Sequence, residues 1–385
     1  MAPTQTIVNC RAVLADRIEP DCAILIEAGR ISALGPRVQP QGEVLDAGGL
    51  IAVPGFVDAH VHGAVGHDFN EPSIEAVQAV LRAHARHGTT ALLASIYTDH
   101  AEKMLQAIET LANLPQPEDG AELLGIYVEG PFLNKARRGA QPEETIIPPD
   151  PALFARMVQA GAGKVRILAI SPELPGALEL IRLAVKSGVR VSMAHTDATY
   201  AQVQEAAAAG LSHVTHLFDG MRGLHHREPG PLGAALLLDQ LEVELIGDGL
   251  HVLPEIVNLT LRLKGTDKVM LISDALHLAG LPPGRYDFAG QPAEVGDGWA
   301  KLIGPGTPVS VCTMDQAFRN AASWTGLPLP QVTLLTSLNP ARAAGALARK
   351  GSLEPGKDAD ILLMDDQFSL REVFLRGRRL SLAQR

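Results

Sequence analysis

The sequence is poor in cysteine, has no surplus of positive charge and contains no long apolar run. Three cysteines, Cys10, Cys22 and Cys312, are scattered over 385 residues. They make neither a zinc-type spacing nor a disulfide framework, so a stapled secreted fold is not expected and a cytoplasmic protein with reduced thiols is. No apolar run reaches the roughly 18–20 residues that cross a bilayer as a helix, so no membrane association is expected. The opening stretch MAPTQTIVNCRAVLADRIEP has no basic start followed by an apolar core, and no secretory signal is expected in it. The formal net charge is −10. Binding nucleic acid takes a basic face that neutralises phosphates, and this balance argues against it. A small phosphorylated ligand, needing only a local positive cluster, stays open. Internal repeats, low-complexity tracts and charge runs are absent as well.

What is present is ordinary globular material, 46% hydrophobic and 20% charged. From about residue 50 to 340, apolar strand-like runs alternate with helix-like stretches. The runs are LIAVPGFVDAHV, TTALLASIYT, AELLGIYVEG, KVRILAIS, RVSMAHT, HVTHLF, EVELIGDG and KVMLISDA. The helical stretches SIEAVQAVLRAHARHG and AQVQEAAAAG both end in glycine, a common helix stop. Near-continuous apolar strands are expected where both sheet faces are covered. Eight of them alternating with helices predict a (β/α)8 barrel. The two ends read as short strands with turns and predict one small β-sandwich domain built from residues 1–50 and 343–385. The barrel then spans 51–342, with an irregular Gly/Pro-rich β insertion near 280–308.

The polar residues at the carboxyl ends of these strands carry the chemistry. His60 and His62, two apart on a strand, project to one face. Two neutral imidazoles side by side suit a metal ion. Alone they are a weak signal, because a pair of surface histidines at a strand end looks the same. Glu129 ends the third run, His195 the fifth, His216 the sixth and Asp274 the eighth. In a barrel all six gather at the one rim where active sites sit. Together they predict a metal centre for one or two divalent ions per chain. Nitrogen and oxygen donors suit zinc first, with iron(II) or another first-row ion as alternatives.

PGFVDAHVHG and GSLEPGKDADILL resemble the metal-dependent amidohydrolase superfamily. More narrowly, VEGPFLN, AHTDAT, THLFDGM, REPG, GDGLHV, SDALHLAG and TMDQAFRN, in order along nearly the whole chain, resemble the N-acetylglucosamine-6-phosphate deacetylase family. The resemblance implies removal of the acetyl group from that sugar phosphate or a close N-acetylated amino-sugar 6-phosphate. It places the first metal on His60 and His62, the second on His195 and His216, and makes Glu129 their bridge. Asp274 becomes the catalytic acid/base, a role compatible with metal ligation. Arg227 and His251 match phosphate-binding positions, and the arginine reaching a neighbouring subunit implies a homodimer. Ala140, Asp219, Gly220 and the segment Thr307, Pro308 and Val309 match sugar contacts.

Three positions depart from the family pattern. Gln141 stands where relatives carry a substrate-contacting histidine, Asp219-Gly220 where they carry Asn-Ala, and Thr307 to Ser310 where they carry Leu-Ala-Gly-Ser. Gln141 donates a hydrogen bond but carries no charge; His225 and His226 are nearby candidates to compensate. All three departures touch the substrate pocket and none the metal ligands, so the expectation is a 6-phosphate substrate with altered selectivity around the ring or acyl group. Two other readings stand beside this one. A dihydroorotase-like or D-aminoacylase-like enzyme would leave the phosphate motifs unexplained. A catalytically dead binding barrel would be expected to have lost ligands, and none is missing.

Overall fold

The computed structural model describes residues 4–288, 290–304 and 307–382. Positions 1–3 and 383–385 of the expected terminal segments, and 289, 305 and 306 of the expected insertion, lie outside the described residues.

Eight parallel strands form one sheet: β1 Phe56–Val61, β2 Thr89–Ile96, β3 Glu122–Glu129, β4 Val165–Ile170, β5 Arg190–Met193, β6 His213–Val214, β7 Glu242–Ile246 and β8 Val269–Ile272. Their hydrogen-bonded order follows the chain, β1 through β8. Past the regular ladder, Asp274 N–H donates to the His60 carbonyl and His62 N–H to the Ala275 carbonyl, each at 2.9 Å, and this brings β8 back to β1. The result is a TIM-like barrel. β1, β2, β7 and β8 are buried at every residue, which is why they read as apolar runs rather than alternations.

The helices around it are set by local chemistry. In Ile74–Arg86 the buried residues Ala76, Val77, Val80, Leu81, His84 and Ala85 recur at helical spacing, and the Ser73 hydroxyl caps the first turn by accepting from Ala76 N–H. Tyr200–Ala209 opens on a capping box formed by Thr199 and Gln202. Gly210 ends it with φ at 114°, a conformation that costs a β-carbon-bearing residue and not glycine.

Both chain ends join a second sheet. Strands Gln5–Val13, Ile18–Glu27, Arg30–Gly35, Glu43–Asp46 and Ile51–Pro54 come from one end, and Ile361–Met364, Leu370–Leu375 and Arg378–Leu380 from the other. Ile51–Pro54 is the seam: it runs parallel to Gln5–Val13 and antiparallel to Ile361–Met364. This corrects the reading of LIAVPGFVDAHV as a single barrel strand. The chain leaves the terminal sheet at Pro54 and enters the barrel at Phe56. Gly55 makes the switch, its N–H donating to the Asp360 carbonyl at 2.9 Å. A β-carbon there would fall 2.2 Å from the Thr90 hydroxyl, so only glycine fits the crossing.

The insertion is more regular than expected. Gly284–Phe288, Gln291–Gly296, Trp299–Leu302 and Pro308–Val309 form a four-stranded antiparallel sheet. Its inner residues Phe288, Ala293, Val295, Ala300, Leu302 and Val309 pack on Leu278, beside Ala140 and Leu276 from the barrel rim. The Gly/Pro content marks its turns and not an absence of strands.

Candidate metal centre

Four side chains stand at the ends of β1, β3 and β8 or just beyond them, and two more follow β5 and β6. His195, His216 and Asp274 have positive φ values of 44°, 26° and 47°. Such conformations cost a non-glycine residue on the order of 1–3 kcal/mol and concentrate where function needs a side chain re-aimed. Here each occurs as the chain leaves its strand and turns a polar group over the barrel mouth.

The six residues form two triads, His60–His62–Asp274 and Glu129–His195–His216. In the first, His60 Nε2 lies 3.1 Å from His62 Nε2, and Asp274 Oδ1 lies 3.5 and 3.3 Å from them. In the second, Glu129 Oε1 lies 3.1 Å from His195 Nε2 and 2.8 Å from His216 Nε2. Glu129 Oε2 faces the first triad, 3.3 Å from His62 Nε2. One carboxylate thus presents an oxygen to each group.

The rings are held from behind. His62 Nδ1 lies 3.0 Å from the Ser95 carbonyl and His195 Nδ1 2.9 Å from the Arg137 carbonyl. A carbonyl only accepts, so Nδ1 carries a proton in both rings and Nε2 is the atom turned to the centre. His60 Nδ1 lies 2.9 Å from Glu244 Oε2. His60 and His62 thus turn Nε2 toward each other at 3.1 Å, an arrangement that suits a cation between or beside them. Charge points the same way. Burial opposes ionisation of Glu129, yet hydrogen bonds with His195, His216 and His62 hold its carboxyl well below the usual range. Burial also opposes protonation of His62, but hydrogen bonds with Asp274 and Glu129 push it up to about 10. One buried and one half-buried carboxylate among four imidazoles draw in positive charge, and the donor set fits a divalent ion.

The centre opens into a cavity of about 200 Å³. His62, Glu129, His195, His216 and Asp274 line its floor, while His60 lies fully buried beneath. Ala140, Gln141, Asp219, Gly220, His251, Thr307, Pro308 and Val309 line its walls, so these residues singled out in the sequence come together around one cavity. Arg227 does not join them. It is exposed on its loop, with Nη1 2.8 Å from His226 Nε2. His225 and His226 are exposed beside it and do not line the cavity either. Asp219 Oδ2 is buried with no hydrogen-bond partner among the described residues, and burial pushes its carboxyl up to about 6. His251 is tied to Asp248, Nδ1 to Oδ2 at 2.6 Å.

Sequence reasoning missed Glu244. It sits fully buried on β7, with Oε2 toward His60 and Oε1 2.8 Å from His213 Nε2, and its Oε2 also accepts from His216 N–H at 3.2 Å. It therefore orients two of the six candidate ligands. The available signal was a carboxylate inside the apolar run EVELIG. The walls contributed by Tyr97, Leu276, His277 and Phe288 were missed too.

The sequence profile of the amidohydrolase family matches residues 51–380. An N-acetylglucosamine-6-phosphate deacetylase of Lysinibacillus sphaericus is 35% identical over 374 residues, covering 97% of this chain and 96% of its own. An N-acetylgalactosamine-6-phosphate deacetylase of Escherichia coli O157:H7 is 32% identical, covering 85% and 87%. Among solved structures, the D267A mutant of N-acetyl-D-glucosamine-6-phosphate deacetylase from Mycobacterium smegmatis, in complex with N-acetyl-D-glucosamine-6-phosphate, superposes with a TM-score of 0.91 at 32% identity. That match covers 98% of this chain and all of the other.

Proposed function

The chain belongs to the amidohydrolase family and, within it, to the N-acetylglucosamine-6-phosphate deacetylases, and from that premise we infer how its own residues do the work. It hydrolyses the amide of N-acetylglucosamine-6-phosphate, or of a close N-acetylated amino-sugar 6-phosphate, to the amino-sugar phosphate and acetate. The observation that carries this reading is the shared Glu129, with one oxygen to each triad beneath a cavity of sugar size.

His60, His62 and Asp274 would hold one divalent ion and Glu129, His195 and His216 another. The set is imidazole and carboxylate, which suits zinc, iron(II) or another first-row ion, with zinc the first expectation. When bound, such an ion acidifies water and polarises the amide carbonyl. Asp274 is the proton carrier. Its carboxylate is 18% exposed at the cavity floor, where it can take the proton of the attacking water and deliver it to the sugar nitrogen as the C–N bond breaks. His251 would donate to the phosphate from within the cavity. Arg227, outside its own cavity, would reach that of a partner in a homodimer, and the exposed Leu224 and Leu250 beside the two loops supply apolar surface for it. Ala140, Gly220 and Thr307 to Val309 would shape the sugar pocket. We read the terminal sheet as a small β-sandwich domain, with the barrel beginning at Phe56. No described helix is long and apolar enough to cross a membrane. The free thiols of Cys10, Cys22 and Cys312 support a cytoplasmic location.

The test is a panel of N-acetylated glucosamine and galactosamine, each with and without 6-phosphate, assayed for free amine. Release from a 6-phosphate substrate is expected, and no release from any of the four overturns the reading.

A further inference from the structure

We propose that Gln141 is a positioning residue that fixes the Glu129 carboxylate between the two triads, in place of the substrate-contacting role its sequence position implied. Its Nε2 donates to Glu129 Oε2 at 2.7 Å. Its Oε1 accepts from Thr98 N–H at 2.9 Å and from the Thr98 hydroxyl at 3.0 Å. Those two bonds use both lone pairs of the amide oxygen. The amide orientation is therefore dictated. A flip would set its oxygen against the Glu129 carboxylate and its NH2 against the Thr98 N–H, two repulsive contacts in place of three bonds. Gln141 is 8% exposed, and Thr145 Oγ1, 2.9 Å from Thr98 Oγ1, closes the network behind it.

The consequence lies in which oxygen is held. Oε2 faces the His60–His62–Asp274 triad, while Oε1 serves His195 and His216. A neutral amide steers Oε2 without adding a positive charge that would compete with a cation. Of two ions, the one beside His62 would then be the more sensitive to position 141.

This proposal rests on the deacetylase reading only for its kinetic arm. The metal arm uses purified full-length protein stripped of metal, titrated with zinc by calorimetry and with cobalt(II) by visible absorption. Gln141→Leu keeps the bulk and removes the bonds. It is expected to weaken binding of at least one ion by about 10–100-fold, the usual effect of losing a group that orients a ligand, and to alter the cobalt spectrum. At saturating zinc its KM for the N-acetylated sugar phosphate should stay at the wild-type value. Thr98→Val, which leaves the backbone donor in place, should give a smaller change of the same kind, and it carries the test if Gln141→Leu does not fold. Wild-type zinc affinity and an unchanged cobalt spectrum in both variants, or a raised KM at saturating zinc, would overturn the proposal. A wild-type protein that binds zinc but releases no amine would overturn the deacetylase reading and leave the metal result standing.

Discussion

Strand β3 begins in a half-buried glutamate and ends in a buried one, and the two meet opposite surroundings. At its amino end Glu122 is ringed by positive charge. Arg349 Nη2 lies 2.5 Å away and Lys350 Nζ 2.7 Å away. Lys350, 1% exposed, also pairs with Asp358 and Asp360, and Arg349 with Asp358. At the carboxyl end, Glu129 has only imidazoles and the Gln141 amide for company, and a second carboxylate stands nearby. Residue type and strand are alike, and both side chains are largely withdrawn from solvent, Glu129 the more so. What differs is whether the fold brings its own cations. Where it does, the cluster ties the barrel to the terminal sheet. Where it does not, four imidazoles and two carboxylates gather in a donor set that would hold a divalent ion. Buried charge without an internal partner is costly, so its retention marks a functional place.

The strongest way to break this distinction is metal removal. Exhaustive chelation should abolish turnover, and a divalent ion should restore it. His195→Ala and His216→Ala should lose bound metal and activity together, while folding cooperatively. Full activity in metal-free protein would contradict the assignment of the carboxyl end.

Next in size is Asp274→Asn. General acid–base groups contribute about 10²–10⁴-fold, and in the proposed mechanism Asp274 would serve both proton transfers, so a loss in the upper part of that range is expected. Metal content by elemental analysis should stay largely intact. A variant within a few-fold of wild type would place the proton carrier elsewhere.

At the amino end the expected signature is reversed. Lys350→Met removes the buried ammonium that Glu122, Asp358 and Asp360 share, leaving Asp360 without its ion pair, and breaking such a pair typically costs about 3–5 kcal/mol. Denaturant melts should show that loss, while kcat per folded molecule stays at the wild-type value. A drop in kcat with unchanged stability would erase the division between the two ends.

The smallest effect sharpens it by pH. Burial opposes ionisation of Glu122, but Lys350 and Arg349 outweigh burial and hold its carboxyl down at about 2, against an ordinary 4.5. A depressed folded value stabilises fully above the ordinary value and is lost as pH falls from 4.5 through 2. Wild type should therefore lose stability faster than Glu122→Gln across that window. Parallel curves would remove Glu122 from the account of acid sensitivity.

Much of the metal centre was legible because barrel topology converts a linear pattern into a spatial one. Each strand end lands on the same rim, so His60, His62, Glu129, His195, His216 and Asp274 could be collected from the sequence without knowing any distance. The eight apolar runs were legible for the same reason, since burial on both faces leaves its mark locally. What escaped was pairwise and distant. Nothing near His60 in the sequence announces Glu244, and nothing near Gln141 announces that its amide is spent on Glu129 and Thr98. The break at Gly55 escaped because two buried strands of different sheets, joined end to end, have the same apolar signature as one. Arg227 matched a motif but does not enter its own chain's cavity, because a motif records which residue is present and not where its loop carries it.

The seam at Ile51–Pro54 has a consequence for the order of events during synthesis. Val53 pairs with Leu362, and Ile51 with Met364. Until the ribosome has made those late residues, the first strands of the terminal sheet carry an open, apolar edge directly upstream of His60 and His62. Pairing so distant in sequence is slow to form, and unpaired edges invite association with other chains. The barrel rim can be assembled long before its anchoring strand is covered, so a nascent or C-terminally truncated chain should depend on chaperones or aggregate while the completed one does not.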